Sequence, residues 1–107
     1  MNRKPLLIPQ GEDRKIEVLL SNLPDGVTME TVDVTFTVSC GYQSVQFDRR
    51  ALRKTADDRH YLAVDTSQLG LGDLKLSAHV RIPDTDFADG YRDEYPELDL
   101  NAKIVQR

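Results

Sequence analysis

The sequence contains no tryptophan and one cysteine, Cys40, and its runs of consecutive apolar residues are short. A lone cysteine cannot form an intrachain disulfide, and no Cys-x-x-Cys or Cys/His spacing suits a zinc site. Near the basic start of the chain only residues 6–8 are apolar in a row before Pro9, which is too short for a secretory signal. No stretch is long enough to cross a bilayer as a helix. These absences predict synthesis in the cytoplasm and no membrane partner.

The charge distribution argues against a nucleic-acid partner. The net charge is −4, whereas nucleic-acid binding draws most of its affinity from neutralising phosphates. Residues 83–99 contain seven acids and one base, a net charge of −6, which leaves +2 for the rest of the chain. Basic residues are concentrated in one stretch, which contains Arg49, Arg50, Arg53, Lys54 and Arg59.

Apolar and polar residues alternate in three long blocks, residues 32–39, 73–82 and 98–104. This period of two is typical of half-buried antiparallel strands, whereas a helix would space its apolar residues by three and four. Shorter blocks predict three further strands, at 15–20, 43–47 and 61–65. Residues 6–8 lie between Pro5 and Pro9 and are predicted to form an edge strand, since proline is excluded from central ladder positions.

Turn signals separate these blocks. Leu23-Pro24-Asp25-Gly26 is typical of a tight turn, residues 49–54 predict a turn, and residues 67–70 predict a short helical corner between two sheets. Short strands spaced by roughly 8–12 residues are the pattern of a sandwich or small barrel. The sequence therefore predicts an all-β fold, a single antiparallel β-sandwich of immunoglobulin-like type with about seven strands. Residues 1–107 form one domain in this interpretation, with residues 1–5 flexible.

The acidic segment 84–95 is the first candidate site. Asp84, Asp86 and Asp89 offer closely spaced carboxylates of the kind that Ca²⁺ prefers, although their spacing does not match an EF-hand. We weigh three interpretations: a long hairpin connection whose aspartates cap turns, an interaction loop that includes Phe87 and Tyr91, and a ligand loop. Tyr91 and Tyr95 would offer stacking faces to a carbohydrate. The first interpretation is favoured, and we predict no metal site.

No constellation in the sequence points to catalysis. His60 and His79 have no Ser, Cys or carboxylate at a suggestive spacing, and both are expected to be exposed on strands. Cys40 ends an apolar strand and is predicted to be a buried structural thiol. The chain is therefore predicted not to be an enzyme and to need no cofactor.

The basic stretch offers a second candidate surface. Arg49, Arg50 and Arg53 are either solvated loop charges or an interaction surface. In the second interpretation they meet the acidic segment 84–99 of a neighbouring copy, which would give head-to-tail assembly, because complementary charge sets specificity and encounter rate.

Four segments carry a resemblance to a known group of proteins. They read GEDRKIEVLL, VDVTFTVSCG, YLAVDTSQLGLGDLKLSAHVRIPDTDF and DGYRDEYPELDLNAKIV. Together they resemble small tail- or baseplate-associated domains of phages and prophages of gut Bacteroidetes, and are loosely similar to the N-terminal domain of baseplate upper proteins. The resemblance implies a β-sandwich in a virion-like assembly, with no catalytic residues.

Two functions are therefore expected. The first is a non-catalytic structural or adaptor module of a phage-tail-like or other protein assembly, with self-association or a virion component as its partner. The alternative is a β-sandwich that binds calcium or a carbohydrate through the acidic loop.

Overall fold

The computed structural model describes residues 4–107, apart from the side chain of Asp99, and these residues form nine β-strands and two short 3-10 helices. The prediction that residues 1–5 are flexible falls partly on residues 1–3, which lie outside the described residues. The strands are β1 (Leu6–Pro9), β2 (Asp13–Val18), β3 (Asp33–Cys40), β4 (Gln43–Asp48), β5 (Arg53–Lys54), β6 (His60–Asp65), β7 (Gly72–Pro83), β8 (Tyr91–Glu94) and β9 (Glu97–Val105). The 3-10 helices are Arg49–Ala51 and Thr66–Gln68.

Within residues 4–107 the strands form a six-stranded and a three-stranded sheet. The large sheet has the order β1-β9-β7-β3-β4, with β8 also paired to β7, and the small sheet has the order β2-β6-β5. The all-β prediction is confirmed. Two details were wrong: residues 4–107 contain nine strands rather than about seven, and the large sheet is not antiparallel throughout, because β1 pairs with β9 in parallel. The chain leaves β1 for the small sheet, so β1 lies beside the last strand and not beside its own neighbour in sequence.

The two sheets enclose one hydrophobic core. The alternating blocks supply it as predicted: Val34, Phe36 and Val38 on β3 are buried, as are Leu62 and Val64 on β6. Both sheets contribute to the same cluster, so each sheet buries the apolar face of the other. Burying apolar side chains from water is the main stabilising contribution in a domain of this size.

The corner predicted at residues 67–70 is present as the second 3-10 helix and carries the chain from β6 in the small sheet to β7 in the large one. The Asp65 carboxylate accepts hydrogen bonds from the backbone N–H and the hydroxyl of Ser67, which caps the helix and lowers the pKa of Asp65. The buried Thr66 hydroxyl donates to the carbonyl of Glu12 at 2.7 Å. It also accepts a hydrogen bond from the N–H of Gly11 at 2.9 Å, so this polar group is satisfied.

Candidate functional site

The acidic segment 84–95 belongs to a hairpin, and its second strand, β8, was not predicted. β7 and β8 pair from Val80 with Glu94 to Pro83 with Tyr91, and the N–H of Asp84 donates to the carbonyl of Gly90 at 2.9 Å. Only residues 84–90 form the loop. The prediction missed β8 because this strand is exposed on both faces and carries no apolar alternation.

The loop carboxylates face arginines. Asp84 accepts a hydrogen bond from Arg92 at 2.9 Å, and Asp89 accepts one from Arg81 at 3.0 Å. The second oxygen of each carboxylate accepts a backbone N–H, from Asp86 and Tyr91 respectively. These carboxylates therefore cap turns and neutralise arginines, as the favoured interpretation of the loop expects. Within the described residues no group of three or more His, Cys, Asp or Glu side chains is placed to hold a metal ion.

An aromatic and charged cluster lies on the outer face of the large sheet. The Nε2 atom of His79 lies 2.9 Å from the Oδ1 atom of Asp93, and the His79 ring stacks on Tyr95 with 4.6 Å between centroids. The guanidinium of Arg81 lies over the ring of Tyr91, 4.3 Å from its centroid. Sequence spacing did not indicate this carboxylate partner, because the β7–β8 register brings Asp93 beside His79 from 14 residues away in sequence.

Burial sets the surroundings of the other two candidates for chemistry, Cys40 and His60. The Cys40 thiol is 2% exposed and donates to the carbonyl of Gly72 at 3.0 Å, and burial raises its pKa. The prediction that this thiol is buried is confirmed. His60 is not exposed as expected: its side chain is 12% exposed, and its Nε2 atom lies 4.0 Å from a carboxylate oxygen of Glu30.

The basic stretch is partly neutralised within its own chain. Lys54 contacts Glu30 at 2.8 Å and Asp58 at 3.1 Å, and its hydrogen bond lowers the pKa of Glu30. Arg49 donates to the carbonyl of Glu30 at 2.7 Å. Within the described part of the chain none of Arg49, Arg50 and Arg53 makes an ion pair, so no carboxylate there neutralises their charges.

The basic stretch and the acidic hairpin lie at the same end of the large sheet, on opposite sides of β3. β3 is antiparallel to both β4 and β7, and its first residues pair near the ends of both: Thr35 with Asp48, and Asp33 with Arg81. Copies stacked head to tail along the strand direction would not bring the two segments together. Charge pairing between copies would require a side-by-side arrangement.

An apolar groove opens between the end of β2 and the start of β9. Its volume is about 270 Å³, and its apolar lining is Val18, Leu19, Leu20, Phe36, Leu76, Ala78, Pro96 and Leu98. Leu19 is 80% exposed and Leu98 is 58% exposed. Glu17 and Glu97 add acidic groups to the groove. Leu98 lies on the core face as predicted, but the three strands of the small sheet do not cover it.

The groove adjoins an open strand edge. β2 is the last strand of the small sheet on this side and pairs only with β6 within the described residues. β4 and β1 are the outer strands of the large sheet. Unpaired strand edges expose backbone N–H and C=O groups that can pair with another chain.

Comparisons of this chain with models of protein families, with curated proteins and with solved structures found no match. Across residues 4–107, no helix has the length and apolar character needed to cross a membrane. Function must therefore be argued from the chain's own geometry.

Proposed function

We propose that this chain is a non-catalytic structural or adaptor module that works by association with proteins, including copies of itself. One observation carries the proposal: the open edge of β2 lies beside the apolar groove that contains the exposed Leu19 and Leu98. Apolar side chains next to unpaired backbone groups offer a partner strand both hydrogen bonds and side-chain contacts.

The proposal also covers the fold type and the assembly in which the chain would act. An immunoglobulin-like sandwich is a common scaffold for such contacts, and the two-sheet core is compatible with it. The sequence resemblance to phage-tail and baseplate domains supports a place in a virion-like assembly. Fold alone leaves the role open, so the proposal depends on the exposed edge and groove.

Solution mass tests the proposal. Light scattering behind a sizing column, across protein concentration and salt, should give a mass that rises above the 12.1 kDa of the single chain. A mass of 12.1 kDa at every concentration up to the millimolar range would refute self-association. Comparing the masses of Leu19→Ser and Leu71→Ser separates an effect of the groove from a general effect of removing an exposed leucine. Leu71 is also exposed but lies outside the groove.

A second candidate function is carbohydrate binding on the outer face of the large sheet. A depression of about 310 Å³ is lined there by polar and aromatic side chains: Thr35, Thr37, Gln46, Ser77, His79, Tyr95 and Glu97. Hydroxyl, amide and carboxylate groups around an exposed ring match the hydrogen-bonding and stacking needs of a sugar. Of the two tyrosines that the sequence suggested for stacking, this candidate site contains Tyr95 and not Tyr91. Binding on a glycan array that Tyr95→Ala abolishes would favour this function; no binding would reject it.

A further inference from the structure

The backbone phase of β2 determines which residues can pair with a new strand. The N–H of Thr66 donates to the carbonyl of Glu12 at 3.1 Å, so the even-numbered residues from Glu12 onward face β6. Hydrogen-bonded and outward-facing residues alternate in an antiparallel pair. Asp13, Lys15 and Glu17 therefore direct their N–H and C=O groups to the open edge, where the described part of the chain gives them no hydrogen bond.

The charges on this edge alternate in sign, and they select one register for self-pairing. Hydrogen bonds form only if the outward-facing residues of one copy lie opposite those of the other. The possible antiparallel registers therefore differ from one another by steps of two residues. Centring the pair on Lys15 or Glu17 would place identical charges face to face. Centring it on Arg14 would pair Lys15 with Asp13 of the other copy, but it would also place two arginines directly opposite each other. Like charges directly opposite are destabilising.

If the two strands pair symmetrically about Ile16, opposite charges lie across from each other. Lys15 then faces Glu17 of the second copy, the same contact repeats across the two-fold axis, and Ile16 meets its counterpart on the core side of the sheet. Contacts within each copy already hold the two charged side chains on the outer face: Lys15 lies 4.8 Å from the centroid of the Tyr61 ring, and Glu17 lies 3.6 Å from Arg59. Opposite charges directly across a strand pair are favourable.

We propose that a second copy of this chain pairs with the edge of β2, antiparallel and centred on Ile16, and joins the two small sheets into one six-stranded sheet. This inference rests on the proposed function and specifies its partner and register. An isologous contact of this kind closes after two copies, so it produces a dimer and not a fibre.

Charge-swap variants test the register. In Lys15→Glu, two attractive contacts become Glu–Glu contacts, so the dimer should weaken by roughly tenfold or more. The double variant Lys15→Glu/Glu17→Lys restores both opposite-charge contacts and should regain the wild-type affinity. Lys75→Glu makes the same charge change on the exposed face of β7 and should leave the affinity unchanged. Sedimentation across concentration measures each constant, and circular dichroism verifies the fold of each variant.

A fourth variant addresses the backbone. Glu17→Pro removes an outward-facing N–H without removing a bond to β6, so it should abolish pairing along this edge if the monomer remains folded. An oligomer that is unaffected by Lys15→Glu, or a double variant that fails to regain affinity, would overturn the register and leave the proposed function standing. A strict monomer under all conditions would overturn both the register and the self-association on which it rests, and would leave only association with other proteins.

Discussion

Replacing Leu62 by alanine should destabilise the fold far more than the same replacement at Leu98. Leu62 is 0% exposed at the centre of the small sheet, so its removal leaves a cavity that the facing large sheet cannot fill. The expected loss is roughly 2–5 kcal/mol in the free energy of unfolding. Leu98 lies on the same core-facing side of its strand but is largely exposed, so Leu98→Ala should cost under about 1 kcal/mol.

Urea unfolding followed by far-UV circular dichroism measures both losses, since the chain has no tryptophan to report by fluorescence. A loss of 2 kcal/mol should lower the melting temperature by at least about 8 °C. Equal losses for Leu62→Ala and Leu98→Ala would refute the reasoning, because they would mean that the small sheet covers the start of β9. The groove beside Leu98 would then not be open in solution.

Three further predictions concern a close backbone approach, a surface ion pair and the acidic hairpin. Gly70→Ala should cost about 1–3 kcal/mol in urea unfolding, because the added Cβ would lie 3.0 Å from the carbonyl oxygen of Cys40; an unchanged midpoint would contradict this packing. The hydrogen bond from Lys54 lowers the pKa of Glu30 in the folded state, so the contribution of this carboxylate to stability is present above its unfolded pKa and is lost as pH falls through the folded value. Glu30→Gln should therefore reduce the loss of stability in acid, and an identical pH profile would count against this. Arg81→Ala removes contacts to Asp89 and Tyr91 and should speed hydrogen exchange at residues 84–90; unchanged rates would show that the loop does not depend on them.

Most strands could be predicted from the sequence because one face of each is buried. β3 and β7 follow their alternating blocks to within one residue at each end, since every apolar residue there faces the core. β8 has exposed residues on both faces, and β5 has two residues, so neither leaves a pattern to detect. The parallel pairing of β1 with β9 could not be predicted, because it depends on which edge of the sheet is free to accept a strand. The alternation of apolar and polar residues within one strand does not indicate which strand pairs with it.

The candidate site was less predictable than the fold. The acidic segment was identified and its aspartates were expected to cap turns, but the sequence did not indicate that Asp84 and Asp89 also accept hydrogen bonds from Arg92 and Arg81 on the flanking strands. The contact between His79 and Asp93 follows from the β7–β8 register, which a hairpin centred on Phe87 would have indicated. Exposure of Leu98 depends on how far the second sheet extends, which is a tertiary property.

Residue-resolved hydrogen exchange of β2 across protein concentration tests the central claim most directly. Association through this edge predicts that the amides of Lys15 and Glu17 exchange rapidly in dilute protein and slow as the concentration rises, while the amides of Ile16 and Val18, bonded to β6, are protected throughout. A mass that rises without any slowing at Lys15 and Glu17 would place the interface elsewhere. A constant mass together with rapid exchange at both residues would contradict self-association itself.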